Sequence, residues 1–230
     1  MLKRLLKFHF NAANETSVAH KFRMKRMRFF EERFSETFGR EISEGKTLKV
    51  LDVGGTLKFW KSMHSKYFDT MELTLLNLKR IDVPEEYTNV KSVAGDARDL
   101  SCYQDKEFDL VFSNSVIEHV GKERDQKRMA DEILRVGKHC YVQTPNRNFP
   151  VEPHFIFPMF QFLPLSVRAF LVRHFALGWR TKAADSEEEA REIADSVNLL
   201  NEKQLRKLFP GAEIQREKFL LLTKSFYFFI

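Results

Sequence analysis

The chain has 230 residues and a formal charge of +6 at pH 7, and 43% of its residues are hydrophobic and 30% charged. This composition excludes an intrinsically disordered chain and allows one α/β domain with an insertion or two small domains. The excess of basic residues is consistent with a protein that binds nucleic acid or an anionic membrane surface, and also with an ordinary basic enzyme. Two cysteines without metal-ligand spacing argue against a disulfide framework or a zinc site. We expect a cytoplasmic protein without a secretory signal, with a membrane-peripheral protein as the alternative.

The first predicted element is an amphipathic helix over residues 15–38, where apolar side chains recur at helical spacing. These side chains are Val18, Phe22, Met27, Phe30, Phe34 and Phe38, with Lys, Arg and Glu between them. The pattern fits a helix packed on a sheet or over a cleft, and it also fits a lid or a helix on anionic lipid. We divide the chain into an N-terminal helical segment, 1–45, and a domain over 46–230. Any peripheral membrane contact is expected from residues 1–38.

Strands and helices alternate between residues 48 and 144. The expected strands cover 48–53, 73–78, 89–93, 108–114 and 139–144, and the expected helices cover 57–66 and 115–120, the latter continuing to 136. Repeated alternation with short loops indicates a parallel sheet with helices on both faces.

The character of the chain changes after Thr144, where prolines are too dense for a regular helix or a central strand. We interpret residues 145–197 as an insertion that covers the C-terminal edge of the sheet. The remaining expected elements are helices over 165–177 and 201–209, a polar helix or a mobile loop over 185–195, and strands over 212–219 and 221–229. The last two strands are expected to form an antiparallel pair at the sheet edge.

A glycine turn, Gly54-Gly55, follows the first strand, and Asp52 lies just inside the strand end. Glycines here let the chain turn sharply and let a ligand approach the backbone closely. A dinucleotide site would need G-x-G-x-x-G facing a pyrophosphate, and this chain lacks the later glycines. The spacing counts against NAD or FAD, but not against a cofactor without phosphate.

Four segments in order carry a family resemblance. They are Leu51-Asp52-Val53-Gly54-Gly55-Thr56, Gly95-Asp96-Ala97, Phe108-Asp109-Leu110-Val111-Phe112-Ser113-Asn114 and Ser115-Val116-Ile117-Glu118-His119-Val120. This set resembles the class I S-adenosylmethionine-dependent methyltransferases, in particular the type 11 methyltransferase domain. The resemblance, together with the predicted elements, implies an α/β, Rossmann-like, doubly wound fold. Its sheet would have seven mostly parallel strands with an antiparallel edge strand, and a helical, Pro-rich insertion.

The resemblance also implies a cofactor site for S-adenosylmethionine at the strand ends. The implied cofactor residues are Asp52, Gly54, Gly55, Thr56, Asn77, Asp96, Ala97, Asn114 and Ser115. Asp52 and the glycines would face the methionine part, Asn77 the ribose hydroxyls, and Asp96 with Ala97 the adenine. The family usually has Asp or Glu where this chain has Asn77, and an amide gives up a charge-assisted hydrogen bond.

A catalytic base is needed only when the acceptor must lose a proton. His119 is the first candidate, because imidazole titrates near neutral pH, and Glu118 and His154 are further candidates. Adjacent helix residues point about 100° apart, so we expect only one of Glu118 and His119 to face a substrate. Arg147 and Glu152 are candidate substrate contacts.

No metal site is expected, because His119, His139 and His154 do not combine with carboxylates at recurring ligand spacing. The expected function is methyl transfer to a small or amphipathic acceptor, lipid-like and sugar-derived acceptors included. Two alternatives stand beside it. One is an RNA or tRNA methyltransferase, which the basic N-terminus favours. The other is a catalytically silent fold that binds a partner. The sequence leaves the oligomeric state open.

Overall fold

The structure is a computed structural model, and it describes residues 17–63 and 65–230. A seven-stranded sheet forms its centre. Its strands are β1 (Leu48–Val53), β2 (Met71–Asn77), β3 (Val90–Ala94), β4 (Phe108–Asn114), β5 (Gly137–Pro145), β8 (Gln215–Phe219) and β9 (Leu222–Phe229). Two further short strands, β6 (Val151–Glu152) and β7 (Phe157–Pro158), form a hairpin outside this sheet. The sheet order is β3-β2-β1-β4-β5-β9-β8.

The first five strands are parallel, and β9 runs antiparallel to both of its neighbours, β5 and β8. Both faces of the central strands are covered: in β4 every residue but the last is buried. A continuous apolar run of this kind is typical of a parallel strand with helices on both sides. The predicted fold class, a mostly parallel seven-stranded α/β sheet with an antiparallel edge pair, is confirmed.

Six α-helices are found in the described residues: α1 (Val18–Ser43), α2 (Leu57–Met63), α3 (Glu123–Val136), α4 (Leu165–His174), α5 (Glu187–Asp195) and α6 (Glu202–Leu208). None of the helices in this part of the chain has the length and apolar character that crossing a bilayer requires. The first helix begins at an N-cap, since the Ser17 side chain accepts a hydrogen bond from the backbone N–H of His20.

Helix α1 packs on one face of the sheet. Phe30 and Phe34 are fully buried, and they share one hydrophobic cluster with Val50, Leu73 and Tyr141 of the strands. Burying one such ring fully contributes about 1.5–3 kcal/mol, so this helix is held mainly by its apolar face. Of the alternatives predicted for this helix, the packing matches the one in which the helix lies on the sheet. Residues 1–16, part of the segment expected to contact a membrane, lie outside the described residues.

The expected helix over 115–120 is wrong. Residues 115–121 form a turn, and α3 begins only at Glu123. Ser115 has a φ of 57°, and its backbone N–H donates to the Gln143 carbonyl on β5 at 2.9 Å. The chain therefore leaves β4 along the end of β5 instead of turning into a helix. Glu118 and His119 consequently lie on an irregular turn, where the angular argument for helix neighbours does not apply.

The Pro-rich insertion between β5 and α6 has a small core of its own around Phe155, Phe160 and Val172. Two backbone contacts hold it in place. Asn146 and Leu200 form a parallel bridge between the two ends of the insertion, and the Asn198 N–H donates to the Glu118 carbonyl at 2.7 Å. The insertion is thereby fixed against the turn that follows β4.

Candidate functional site

A cleft of about 300 Å³ opens at the C-terminal ends of β1, β2 and β3, beside the point where the strand order reverses between β1 and β4. Ligands of open α/β sheets bind in crevices at this position. Leu76, Ala97, Val116 and Val120 provide apolar walls, and Asn77, Asp96 and Arg98 provide polar groups. The cleft can therefore hold a flat apolar group with hydrogen-bonding edges.

The glycine turn at the base of the cleft is tightly packed. Gly54 has a φ of +73°, and a Cβ there would lie 2.6 Å from the Val116 side chain. A Cβ on Gly55 would overlap the Asp52 carboxylate. Gly54 is therefore required for its backbone conformation and for space, and Gly55 is required for space.

Asp52 is buried under this turn and does not line the cleft. Its Oδ2 accepts a hydrogen bond from the Trp60 indole N–H at 2.7 Å. Burial raises the pKa of Asp52 to about 8, although the Trp60 hydrogen bond acts in the opposite direction. The carboxyl is therefore mostly protonated at neutral pH, and in this structure it supports the turn from below.

Two further predicted cofactor residues hold local structure. The Thr56 side chain accepts a hydrogen bond from the Phe59 backbone N–H at 3.2 Å and caps the start of α2. The Ser115 hydroxyl donates to Gln143 Oε1 at 2.7 Å, on the floor of a second cavity that is described below.

Asn77 connects the end of β2 to the glycine turn. Its side-chain amide donates to the Gly55 carbonyl at 2.9 Å. The amide oxygen is thereby directed away from that carbonyl and remains an acceptor at the edge of the cleft. A carboxylate in this position could not donate to Gly55, which gives a physical reason for the departure from the family's usual acidic residue.

Asp96 is paired with Arg98, a residue that the sequence analysis did not select. The Arg98 guanidinium contacts both carboxylate oxygens, with Nη2 at 2.6 Å from Oδ2 and Nε at 2.9 Å from Oδ1. These hydrogen bonds hold the pKa of Asp96 below its usual value. Arg98 also donates to the Val120 carbonyl at 3.2 Å, which ties the loop after β3 to the turn after β4.

Four polar side chains meet beside the cleft. His119 Nε2 lies 3.1 Å from His154 Nε2, and His154 Nδ1 lies 2.6 Å from Glu152 Oε1. Glu118 is fully buried, with Oε2 accepting from the Thr144 hydroxyl at 3.0 Å and Oε1 at 3.9 Å from His154 Nε2. All three catalytic candidates and Glu152 are thus in one cluster, which we call the His–Glu cluster: Glu118, His119, Glu152 and His154.

The pKa values of the residues in this cluster are shifted in different directions. Burial raises the pKa of Glu118 to about 7. Burial, followed by the charge of His154, lowers the pKa of His119. Burial alone would lower the pKa of His154 as well, but the hydrogen bond and charge of Glu152 outweigh it and the pKa is raised. Strongly perturbed groups gathered in a cleft are a recognised sign of a functional site.

A second cavity, of about 200 Å³, lies on the other side of this cluster between α1, the insertion and β9. Phe149 and Trp179 form part of its apolar wall, and Arg26 and Lys224 are its cations. Glu217, 1% exposed, is shared by the two cations at 2.6 Å and 3.3 Å. Arg26 Nε is buried without a hydrogen-bond partner among the described residues.

Arg23 and Asn114 line a narrow wedge next to this second cavity, together with Phe59 and Phe112. Burial and the neighbouring Arg26 lower the pKa of Arg23. The basic face of α1 thus turns two arginines, Arg23 and Arg26, toward the site, a placement that helical periodicity alone did not reveal. Arg147, in contrast, is exposed, lines neither cavity and lies over the Phe162 ring.

Residues 51–139 match a family model described as a methyltransferase domain. Over these residues the chain is similar to that family. The matched residues run from the end of β1 into β5 and include the glycine turn, Asp96 and the turn with Glu118 and His119. The resemblance to class I S-adenosylmethionine-dependent methyltransferases that the strand ends predicted is confirmed.

Comparisons with individual proteins add relatives of this domain. An uncharacterised protein of Mycobacterium tuberculosis H37Rv is 37% identical over 70 residues, which are 30% of this chain and 23% of that protein. The match to its counterpart in strain CDC 1551 has the same extent, so the chain aligns with about a quarter of the length of these curated relatives.

Solved structures of similar fold include three methyltransferases. A SAM-dependent methyltransferase from Methanosarcina mazei is 14% identical, covering 80% of this chain and 92% of its own, with a TM-score of 0.47. The Burkholderia thailandensis 1,6-didemethyltoxoflavin-N1-methyltransferase, solved with S-adenosylhomocysteine, is 12% identical, with coverages of 89% and 88% and a TM-score of 0.48. A SAM-dependent methyltransferase from Aquifex aeolicus is 13% identical, with coverages of 90% and 96% and a TM-score of 0.41.

Proposed function

We propose that this methyltransferase domain binds S-adenosylmethionine in the cleft and transfers its methyl group to an acceptor in the second cavity. The observation that carries the proposal is the position of the His–Glu cluster. His119 lines the cleft, His154 lines the second cavity, and their Nε2 atoms are 3.1 Å apart. A transferase for two substrates needs two compartments that meet at the reacting atoms, and this arrangement supplies them.

The cleft fits the adenosine half of the cofactor. The apolar side chains of Leu76, Ala97 and Val116 suit a flat purine, and the free amide oxygen of Asn77 suits a ribose hydroxyl. The glycine turn brings backbone close to the same place without a Cβ in the way. When bound, S-adenosylmethionine supplies a methyl group on a positively charged sulfur, which is a strong electrophile.

The guanidinium groups of Arg23 and Arg26 on α1 suit an anion. Arg23 and Arg26 each bury an Nε that has no partner among the described residues. Two neighbouring cations with one nearby carboxylate, Glu217, favour a further negative charge in this region. We assign Arg23, beside Asn114 in the wedge, to the carboxylate of the cofactor, and Arg26 with Lys224 to the acceptor.

The acceptor is proposed to be small and amphipathic, with an anionic group. The second cavity combines aromatic walls, Phe149 and Trp179, with the cations Arg26 and Lys224. Apolar walls with a few convergent polar groups are typical of small-molecule sites. A hydroxyl acceptor would place its oxygen at the His154 end of the cavity, where the cluster can take up its proton.

A transfer assay with methyl-labelled S-adenosylmethionine tests this proposal. The substrates are the small molecules of a cell extract, separated into anionic and neutral fractions. We expect label in the anionic fraction with the wild type, and at least tenfold less with Arg26→Met, which keeps an unbranched side chain and removes the charged group. His174→Ala, at an exposed position on α4, is the control. Cofactor binding without transfer to any fraction would favour the catalytically silent alternative, and transfer only to neutral compounds would contradict the anionic acceptor.

A further inference from the structure

We propose that Glu118, His119 and His154 form a binding site for a divalent transition-metal ion at the junction of the two cavities. One ligand atom from each residue can be chosen so that all three lie within 4.8 Å of one another. His119 Nε2 and His154 Nε2 are 3.1 Å apart, and Glu118 Oε1 is 3.9 Å from His154 Nε2. Ligands about 2.1 Å from one metal ion lie about 3.0–3.4 Å apart. The two imidazole nitrogens already have this spacing, and the Glu118 carboxylate would have to move closer to them to share an ion.

The contact between the two imidazoles places two ring nitrogens within reach of one proton or one cation. Glu152 accepts from His154 Nδ1 at 2.6 Å, so Nδ1 carries a proton, and Nε2 offers its lone pair whenever the ring is neutral. This lone pair is directed at His119 Nε2, 3.1 Å away. Two ring nitrogens at that distance are held together by a shared proton or by a cation bound to both lone pairs.

Glu118 provides an independent reason for a cation. Its side chain is fully buried, and Oε1 has no hydrogen-bond partner among the described residues, whereas Oε2 is held by the Thr144 hydroxyl. Leaving a buried carboxylate oxygen unpaired is costly, and native structures rarely do so without a reason. The unpaired oxygen is the one on the His154 side, where a cation shared with the two imidazoles would pair it.

The surroundings of His154 are those of a metal ligand. Glu152 is buried, with one oxygen on His154 Nδ1 and the other accepting from the Phe155 backbone N–H at 2.6 Å. A carboxylate on the far nitrogen of a ligating histidine fixes its tautomer and orientation in many metal sites. The position of Glu152 is therefore explained by the site rather than by the fold alone.

The ligand set indicates the class of ion and its use. Two imidazoles and one carboxylate suit Zn²⁺, Mn²⁺ or Fe²⁺ better than Ca²⁺ or Mg²⁺, which prefer oxygen ligands. Three protein ligands leave at least one position open, toward the cavity that His154 lines. If the proposed function is correct, this position would take an acceptor oxygen, and the ion would lower the pKa of its hydroxyl. Metal binding itself does not depend on that role.

The test is a titration of the full-length, chelator-treated protein with Co²⁺, monitored by its visible absorption. We expect one Co²⁺ per chain with absorption typical of nitrogen and oxygen ligands. Glu118→Gln and His119→Ala should each weaken binding by more than tenfold, and Glu152→Gln by about 10–100-fold. His174→Ala, which removes an exposed histidine on α4, is the matched control and should bind as the wild type does. Circular dichroism checks that each variant is folded.

Two results would overturn the proposal: no Co²⁺ binding by the wild type, or equal affinity in the wild type, Glu118→Gln and His119→Ala. Titration of the same metal-free protein with S-adenosylhomocysteine separates this proposal from the proposed function. Binding of that ligand without Co²⁺ binding defeats only the metal site. Co²⁺ binding without binding of that ligand defeats only the proposed function.

Discussion

The side-chain amide of Asn77 donates to the carbonyl of Gly55 across 2.9 Å, and so the end of one strand holds the glycine turn of its neighbour. The turn forms the base of the cleft, and the strand end forms its edge. The same side chain thus supports the glycine turn and leaves its amide oxygen as an acceptor at the edge of the cleft.

Asn77→Asp should weaken cofactor binding, although it restores the residue type that the family usually has. The carboxylate cannot donate to Gly55 and would face its carbonyl oxygen instead. The loss of one hydrogen bond near a ligand corresponds to about 1–2 kcal/mol, or roughly a tenfold higher Kd for S-adenosylhomocysteine by calorimetry. Tighter binding by Asn77→Asp would show that the ribose contact outweighs the turn.

Asp52→Asn should change how stability depends on pH. The folded pKa of Asp52, about 8, lies above the unfolded value of 3.8, so the native state holds the proton more tightly. Its contribution is fully present below about pH 4 and is lost as pH rises toward 8. The wild type should therefore lose stability relative to Asp52→Asn between pH 4 and 8, as measured by urea unfolding. A constant difference across this range would contradict the raised pKa.

Trp60→Phe should destabilise the fold by more than the smaller buried area of the phenylalanine ring accounts for. The indole N–H that pairs the buried Asp52 carboxyl disappears, and no other donor to this carboxyl is found among the described residues. We expect a loss of about 1–3 kcal/mol in the free energy of unfolding. Trp179→Phe is the matched control, because Trp179 is 46% exposed and should cost less than about 0.5 kcal/mol. Equal effects at the two tryptophans would argue against the Asp52 contact.

Phe30→Ala should destabilise the sheet and α1 as one cooperative unit, so that both unfold in a single transition. Phe30 is fully buried and contacts the rings of Trp60, Phe112 and Tyr141, with centroids 6.1, 5.2 and 5.3 Å away. Removal of a buried Phe costs about 3–5 kcal/mol. Phe170→Ala, at a position 58% exposed, should cost little. A separate early unfolding transition for α1 would show that the helix is not part of this core.

Much of the fold could be predicted from local sequence patterns. The apolar runs around Val50, Leu75 and Val111 identified parallel strands, because strands buried on both faces are apolar throughout. The helix expected over 115–120 followed from the alternation of strands and helices, but a hydrogen bond from Ser115 to Gln143, 28 positions away, holds a turn there. Such contacts are set by tertiary structure and leave no local signal.

The site was predictable in parts. The position of Gly54 and Asn77 at one cleft could be predicted, because the ends of parallel strands meet at one edge of the sheet. The Asp96–Arg98 pair and the inward direction of Arg23 depend on side-chain packing, so the sequence did not reveal them. The meeting of Glu118 with His154 depends on how the insertion folds back.

Calorimetric titration of S-adenosylhomocysteine into the wild type and into Asp96→Ala tests the central claim, that the cleft is a cofactor site. The account predicts one site in the wild type and about tenfold weaker binding in Asp96→Ala, which removes the partner of Arg98 at the cleft wall. Asp185→Ala, which breaks the exposed pair with Lys182, should leave the Kd unchanged. Absence of binding by the wild type, or equal Kd values for the wild type and Asp96→Ala, would contradict the assignment of this cleft.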